Sequence, residues 1–173
     1  TANTRGGLLT KITKAKQEVG NLMDELFDAQ PDKIIDISDT TKVLNNAIKE
    51  AVETGEQALV TRLQNLKNSF EGIFKLGEEG VERVGTKIKQ LTPKEVQELK
   101  INIGKATKWT GQAFDNEVNQ VRVRLYRDLD SKLDNAVEGI QELNKRYANL
   151  LTAEKSLERT NKNMEKLVLS GLR

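Results

Sequence analysis

Apolar residues recur along this chain in steps of three and four, and that spacing constrains the fold more than any other feature. Leu8, Ile12, Ala15, Val19, Leu22 and Leu26 keep it strictly, and so do Leu59, Leu63, Leu66, Phe70 and Ile73. Val118, Val121, Leu125, Leu129, Leu133 and Val137 follow the same helical period. An α-helix gathers residues so spaced onto one side, whereas a half-buried strand needs strict alternation, and no alternating segment occurs. The expected class is all-α, an elongated multi-helix bundle with coiled-coil-like seams, the strictest of them in the first and third helices. Composition agrees: 36% hydrophobic against 31% charged residues implies a thin core under a large wetted surface. Two prolines leave long helices unobstructed almost everywhere.

Local signals divide the helical pattern. The first helix is expected from about Leu8 to Phe27, its stripe widened by Leu9, Met23 and Phe27, and it must stop before Pro31. Residues 32–37 read as an extended connector. Ser38 or Asp39 then caps a second helix carrying Val43, Leu44, Ala47, Ile48, Ala51 and Val52. Thr54-Gly55 either breaks that helix or lies within a longer one. Gly72, Gly77, Gly80 and Gly85 loosen the following stretch, where Val81, Val84, Ile88 and Leu91 suggest a short or frayed helix. Thr92-Pro93-Lys94-Glu95 combines an N-cap, a proline at the first helical position and a capping-box glutamate, with Leu91 and Val96 as a hydrophobic staple. That helix is expected to reach about Trp109 and end at Thr110-Gly111. A fifth starts near Asp115, and Gly139 kinks or ends it; Ile140, Leu143, Tyr147 and Leu150 continue the period. Thr152, with Glu154 close behind, reads as the cap of a terminal helix through Leu157, Met164 and Leu167. The expectation is one helical region over 1–173, divisible into sub-parts 1–90 and 91–173. Thr1 at the start and Leu169-Ser170-Gly171-Leu172-Arg173 at the end read as the limits of a piece of a longer polypeptide.

The chemistry-bearing side chains are few. The chain has no cysteine and no histidine, so Cys/His zinc sites and histidine-based triads are excluded. Gly104-Lys105-Ala106-Thr107 imitates the tail of a phosphate-binding loop, but Leu99 stands where its first glycine belongs and Ala106 replaces the hydroxyl residue. Asp128, Asp130, Asp134 and Glu138 form an acidic run, yet Leu133 and Gly139 occupy the positions where a calcium loop needs glycine and glutamate. The expectation is therefore a protein that is not an enzyme, without catalytic, cofactor or metal residues. No apolar run is long enough for a transmembrane helix. Lys and Arg total 28 against 26 acidic residues, a net charge of +2 that gives no general pull towards nucleic acid. Five residues stand out as candidate partner contacts. Arg122, Arg124 and Arg127 are clustered near Lys105 and Lys108, although Glu117, Asp128 and Asp130 dilute the basic face. Trp109 and Tyr147 have the character of interface anchors, but their positions at a helix end and on an apolar stripe suit the edge of a core better.

A resemblance adds a setting. Leu91-Thr92-Pro93-Lys94-Glu95-Val96-Gln97-Glu98-Leu99-Lys100, Ile103-Gly104, Lys108-Trp109-Thr110-Gly111, Asn119-Gln120-Val121, Leu125-Tyr126-Arg127-Asp128-Leu129 and Glu142-Leu143-Asn144-Lys145-Arg146-Tyr147-Ala148-Asn149-Leu150-Leu151 together resemble helical segments of bacteriophage virion-associated and large structural polypeptides. The likeness spans about residues 91–160 and is one of pattern. It implies a virion structural or assembly protein acting through helix-mediated protein–protein contacts, with other virion proteins or further copies of itself as partners. Its location would then be the virion, and otherwise the cytoplasm. The alternative carried by the residues is a nucleic-acid-associated helical protein using the basic face of Arg122, Arg124 and Arg127.

Overall fold

A computed structural model of the chain describes residues 5–72, 90–109 and 116–171. Among these residues the fold is all-α, with six helices: α1 (Arg5–Asp28), α2 (Ser38–Glu53), α3 (Gln57–Gly72), α4 (Pro93–Ala106), α5 (Glu117–Ala136) and α6 (Ile140–Gly171). The exception is a small antiparallel pairing of β1 (Ile35–Asp36) with β2 (Gln90–Leu91), in which Ile35 faces Leu91 and Asp36 faces Gln90. The chain forms two compact units, α1 with α6 and the span Gln30–Val137. That division does not coincide with sub-parts 1–90 and 91–173. The first and last helices pair with each other, a non-local choice that local signals cannot announce.

In the first unit α1 and α6 run antiparallel: Leu26 approaches Gly139, while Lys16 pairs with Glu154. The residues of α1 that pack are Val19, Met23 and Phe27, all buried, with Ile12 and Lys16 half-buried ahead of them. On α6 the inward series is Ile140, Leu143, Tyr147, Leu150, Glu154 and Leu157. The expected row of α1 is therefore displaced: Leu8 and Leu22 are 39% and 40% exposed. The helix turns to bring Met23 and Phe27 inward, and Lys16 enters the face because Glu154 meets it there. α6 is one uninterrupted helix. Thr152 does not cap a new one; its hydroxyl donates to the Ala148 carbonyl at 3.0 Å, satisfying itself within the helix interior.

The second unit is organised on α5, which packs against α4, α2, α3 and β1. Leu125, Leu129 and Leu133 are fully buried, and Val118, Val121 and Val123 nearly so. Neighbours on more than one side explain why Val123 is buried although it lies off the expected stripe. α2 and α3 form a hairpin through Thr54-Gly55-Glu56, where Gly55 adopts φ +75°, so the glycine breaks the helix rather than riding within it. α4 lies antiparallel to α5, since Lys100 meets Asp130 and Lys108 meets Asn119. Gly104 allows close approach: a Cβ there would stand 3.0 Å from the Tyr126 ring.

Helix termini follow the local chemistry in part. Thr92 caps α4 as expected, its hydroxyl accepting the Glu95 N–H at 3.3 Å, with Pro93 at the first helical position and Leu91 and Val96 both buried. α4 stops at Ala106, earlier than expected, because Thr107 turns extended and folds its hydroxyl back onto the Ile103 carbonyl. Neither Ser38 nor Asp39 caps α2; the Asp36 carboxylate accepts the Ser38 N–H instead. Asn116 caps α5 by accepting from the Val118 and Asn119 amides. Of the expected short helix, Val81, Val84 and Ile88 lie outside the described residues, as does the stop at Thr110-Gly111, while Leu91 lies in β2, where it pairs with Ile35, and not in a helix.

Candidate partner-binding and anion-binding surfaces

The α1/α6 face carries one charged contact at an apolar position. Lys16 Nζ donates to Glu154 Oε2 at 2.6 Å, with the two side chains 20% and 21% exposed. Glu154, first through this hydrogen bond and also through its charge, raises the lysine pKa above its ordinary value, while burial pulls the other way. A paired charge in such a row fixes which residues lie opposite one another. Alongside, Leu8, Ala15 and Leu22 repeat every seventh residue on α1, and the leucines remain exposed. α1 thus carries two adjoining apolar rows, and only one of them packs on α6.

In the second unit Lys100 is the notable buried cation. Its side chain is 4% exposed, its ammonium donates to Asp130 Oδ1 at 2.7 Å, and it sits 5.7 Å from the Tyr126 ring centroid. Asp134, one turn on, has a buried Oδ1 without a hydrogen-bond partner. Its carboxyl pKa is pushed up by burial and by the Asp130 charge, against the opposing effect of Lys100. The Tyr126 phenol is pushed up as well, chiefly by burial and then by Asp130 and Asp134. Asp128 accepts a hydrogen bond from the Thr40 hydroxyl and lies 4.0 Å from Lys132. Among the described residues no three carboxylates converge in a way that could hold a metal ion.

Of the five residues singled out by sequence, Tyr147 belongs to the first unit, and the other four, in the second, form no single site. Arg124 lines a depression that also holds Glu50, Glu56 and Glu117, Arg127 is exposed, and Arg122 lines a different cavity. The three arginines therefore do not make one stripe. Trp109 is 44% exposed; its indole N–H donates to the Gly104 carbonyl at 3.3 Å and its ring meets Tyr126 edge-on at 5.0 Å. It covers the end of α4 from the outside. Tyr147 is half-buried on α6, in the row that faces α1.

Sequence reasoning missed the cavity that holds Arg122. About 490 Å³ in volume, it is walled by α3, the end of α4 and the start of α5. Arg62, Lys108 and Arg122 contribute cations, Asn65, Ser69 and Asn102 polar groups, and Leu66, Phe70 and Ile103 an apolar floor. No described carboxylate lines it. Asn119 is buried and grips the backbone of Lys108 in both directions: its Oδ1 accepts the Lys108 N–H at 2.8 Å and its Nδ2 donates to the Lys108 carbonyl at 2.7 Å. The only signal in the sequence was an asparagine beside an apolar stripe, which is too common to point anywhere.

No protein-family model, curated protein or solved structure matches the chain. Among the described residues no helix is long and apolar enough to cross a membrane.

Proposed function

We propose that this chain is a non-enzymatic structural or assembly protein that pairs with a second copy of itself through α1 in a coiled-coil-like contact. The observation that carries the reading is the second apolar row of α1, Leu8, Ala15 and Leu22, which α6 leaves open beside the row it covers. A helix with two adjoining apolar rows is built for more than one neighbour. The charges of α1 indicate which neighbour. Arg5, Lys11, Lys14 and Lys16 occupy its first half, and Glu18, Asp24, Glu25 and Asp28 its second. This layout opposes the helix's own dipole, which favours acids at the start and bases at the end. Two copies laid antiparallel about a two-fold axis place each basic half against an acidic half, so the surface is complementary to itself. The absence of histidine and cysteine supports the non-enzymatic part of the reading. The resemblance to phage structural segments supplies the setting, a virion or its assembly.

Sedimentation velocity across a concentration series tests the pairing. The expected result is a dimer that dissociates in Leu8→Glu/Leu22→Glu while helicity is kept. Lys11→Glu/Lys14→Glu should weaken the dimer, and adding Glu18→Lys/Glu25→Lys should restore it. A wild-type chain that stays monomeric at high micromolar concentration, or a leucine double variant that pairs as tightly as wild type, refutes the reading.

A further inference from the structure

We infer that the cavity between α3, the end of α4 and the start of α5 binds a small phosphorylated molecule with an aromatic or apolar body, of the size of a mononucleotide. This site is separate from the α1 pairing face and stands or falls independently of it. Three features select the ligand class. Arg62, Lys108 and Arg122 line the cavity from three different segments, and the carboxylates that share an adjoining depression with Arg62, Glu56 and Glu117, do not line this cavity. Arg122 forms no ion pair among the described residues, and its Nε is buried without a hydrogen-bond partner. A guanidinium left in that state is unfavourable unless an acceptor arrives to engage it.

The lysine is held in place rather than free. Asn119 uses both ends of its buried amide on the Lys108 backbone, which fixes that backbone beside the cavity and leaves its exposed side chain within reach of a bound anion. Arg122 lies one turn beyond Asn119 on α5, so the same helix face positions two of the three cations.

The cavity is larger than a free phosphate ion needs, since about 490 Å³ falls within the range of small-molecule sites. Its remaining wall is apolar: half-buried Leu66 lies in front of buried Phe70, Ile103 and Val118, and Asn65, Asn102 and Ser69 offer donors and acceptors at its edge. A phosphoryl group at the arginines with an apolar body against Leu66 matches both kinds of lining. The imitation of a phosphate loop at Gly104-Lys105 is not involved, because neither residue lines the cavity and Gly104 faces Tyr126.

Isothermal titration calorimetry of the intact chain with adenosine monophosphate, inorganic phosphate and adenosine provides the test. The monophosphate should bind, inorganic phosphate at least tenfold more weakly, and adenosine more weakly still. Arg62 is exposed, so Arg62→Gln should reduce affinity about tenfold without disturbing the fold, the size expected for one charge-assisted contact. Arg122→Gln should reduce it at least as much, with helicity checked by circular dichroism, whereas Lys49→Gln on α2 should have no effect. No heat with the monophosphate at millimolar concentration overturns the inference, as does binding that Arg62→Gln leaves unchanged. Equal affinity for phosphate and monophosphate overturns the assigned ligand class.

Discussion

Replacing Lys100 by methionine removes the most buried cation among the described ion pairs and leaves most of the apolar stem in place. Lys100 occupies the α4 row between Val96 and Ile103, both buried, and its side chain is 4% exposed. The lost charge-assisted hydrogen bond to Asp130 contributes about 1.5–3 kcal/mol. The cation over Tyr126 adds roughly 0.5–1 kcal/mol. Asp130 is 38% exposed and can turn to water, so the loss stays below the roughly 3–5 kcal/mol of stranding a fully buried partner. Methionine packing returns on the order of 1 kcal/mol. The balance is a destabilisation of about 2 kcal/mol at neutral pH. A pH signature accompanies it. Lys100 opposes the upward push that burial and Asp130 exert on the Asp134 carboxyl, so its removal raises that pKa further. A carboxyl whose folded pKa is raised contributes stability that is present below its unfolded value, here 3.8, and lost as pH rises through the folded value. The variant's deficit should therefore be largest at neutral pH and shrink towards pH 3. Urea melts of both proteins at the two pH values measure it. A neutral-pH loss under about 0.5 kcal/mol, the level of an exposed ion pair, would refute the reasoning, and so would a loss independent of pH.

Asp134→Asn should raise the neutral-pH melting temperature, and the gain should vanish below the ordinary carboxylate pKa, because the ionised form of a group with a raised folded pKa is the one the fold disfavours. Thr92→Ala should destabilise by about 1 kcal/mol through loss of the α4 cap, and Leu99→Ala by roughly 2–5 kcal/mol, since Leu99 has no exposed surface. Denaturant melts that reversed that order would place the wrong face of α4 in the core. Gly139 has φ +87° between α5 and α6, and a Cβ there meets only ordinary contact with Leu26; Gly139→Ala should therefore lose about 1–2 kcal/mol from backbone strain alone, read by thermal unfolding.

The elements that were legible in sequence are those fixed by neighbours a few residues away. Thr92-Pro93-Lys94-Glu95 is both a local signal and a complete local structure, so α4 begins where it should. Gly55 and Gly139 both take positive φ, and each ends a helix at a place the apolar period had allowed it to continue. Thr152 shows the converse. The same hydroxyl that caps a helix can bond back to the carbonyl four residues earlier, and only packing decides between the two. In α6 the inward row of Leu150, Glu154 and Leu157 runs straight through the threonine, so tertiary contact with α1 overrides the cap signal.

The displaced row of α1 connects this lesson to function. Leu8, Ala15 and Leu22 satisfy the period as well as Ile12, Val19 and Met23 do, because an apolar stripe wide enough to include both sets does not state which half meets which neighbour. The choice rests on α6, where Glu154 stands in the row and draws Lys16 into its counterpart, excluding the alternative rotation of the helix. Once that rotation is fixed, the leucines at 8 and 22 have to face elsewhere. The ion pair thus does two things: it sets the register between α1 and α6, and it leaves the second row facing away from α6. The cavity in the other unit is hidden in sequence for a different reason. Its basic residues come from positions 62, 108 and 122, on segments whose proximity only folding creates, and Asn119, which holds one of them, acts through the backbone of Lys108, where side-chain identity leaves no trace.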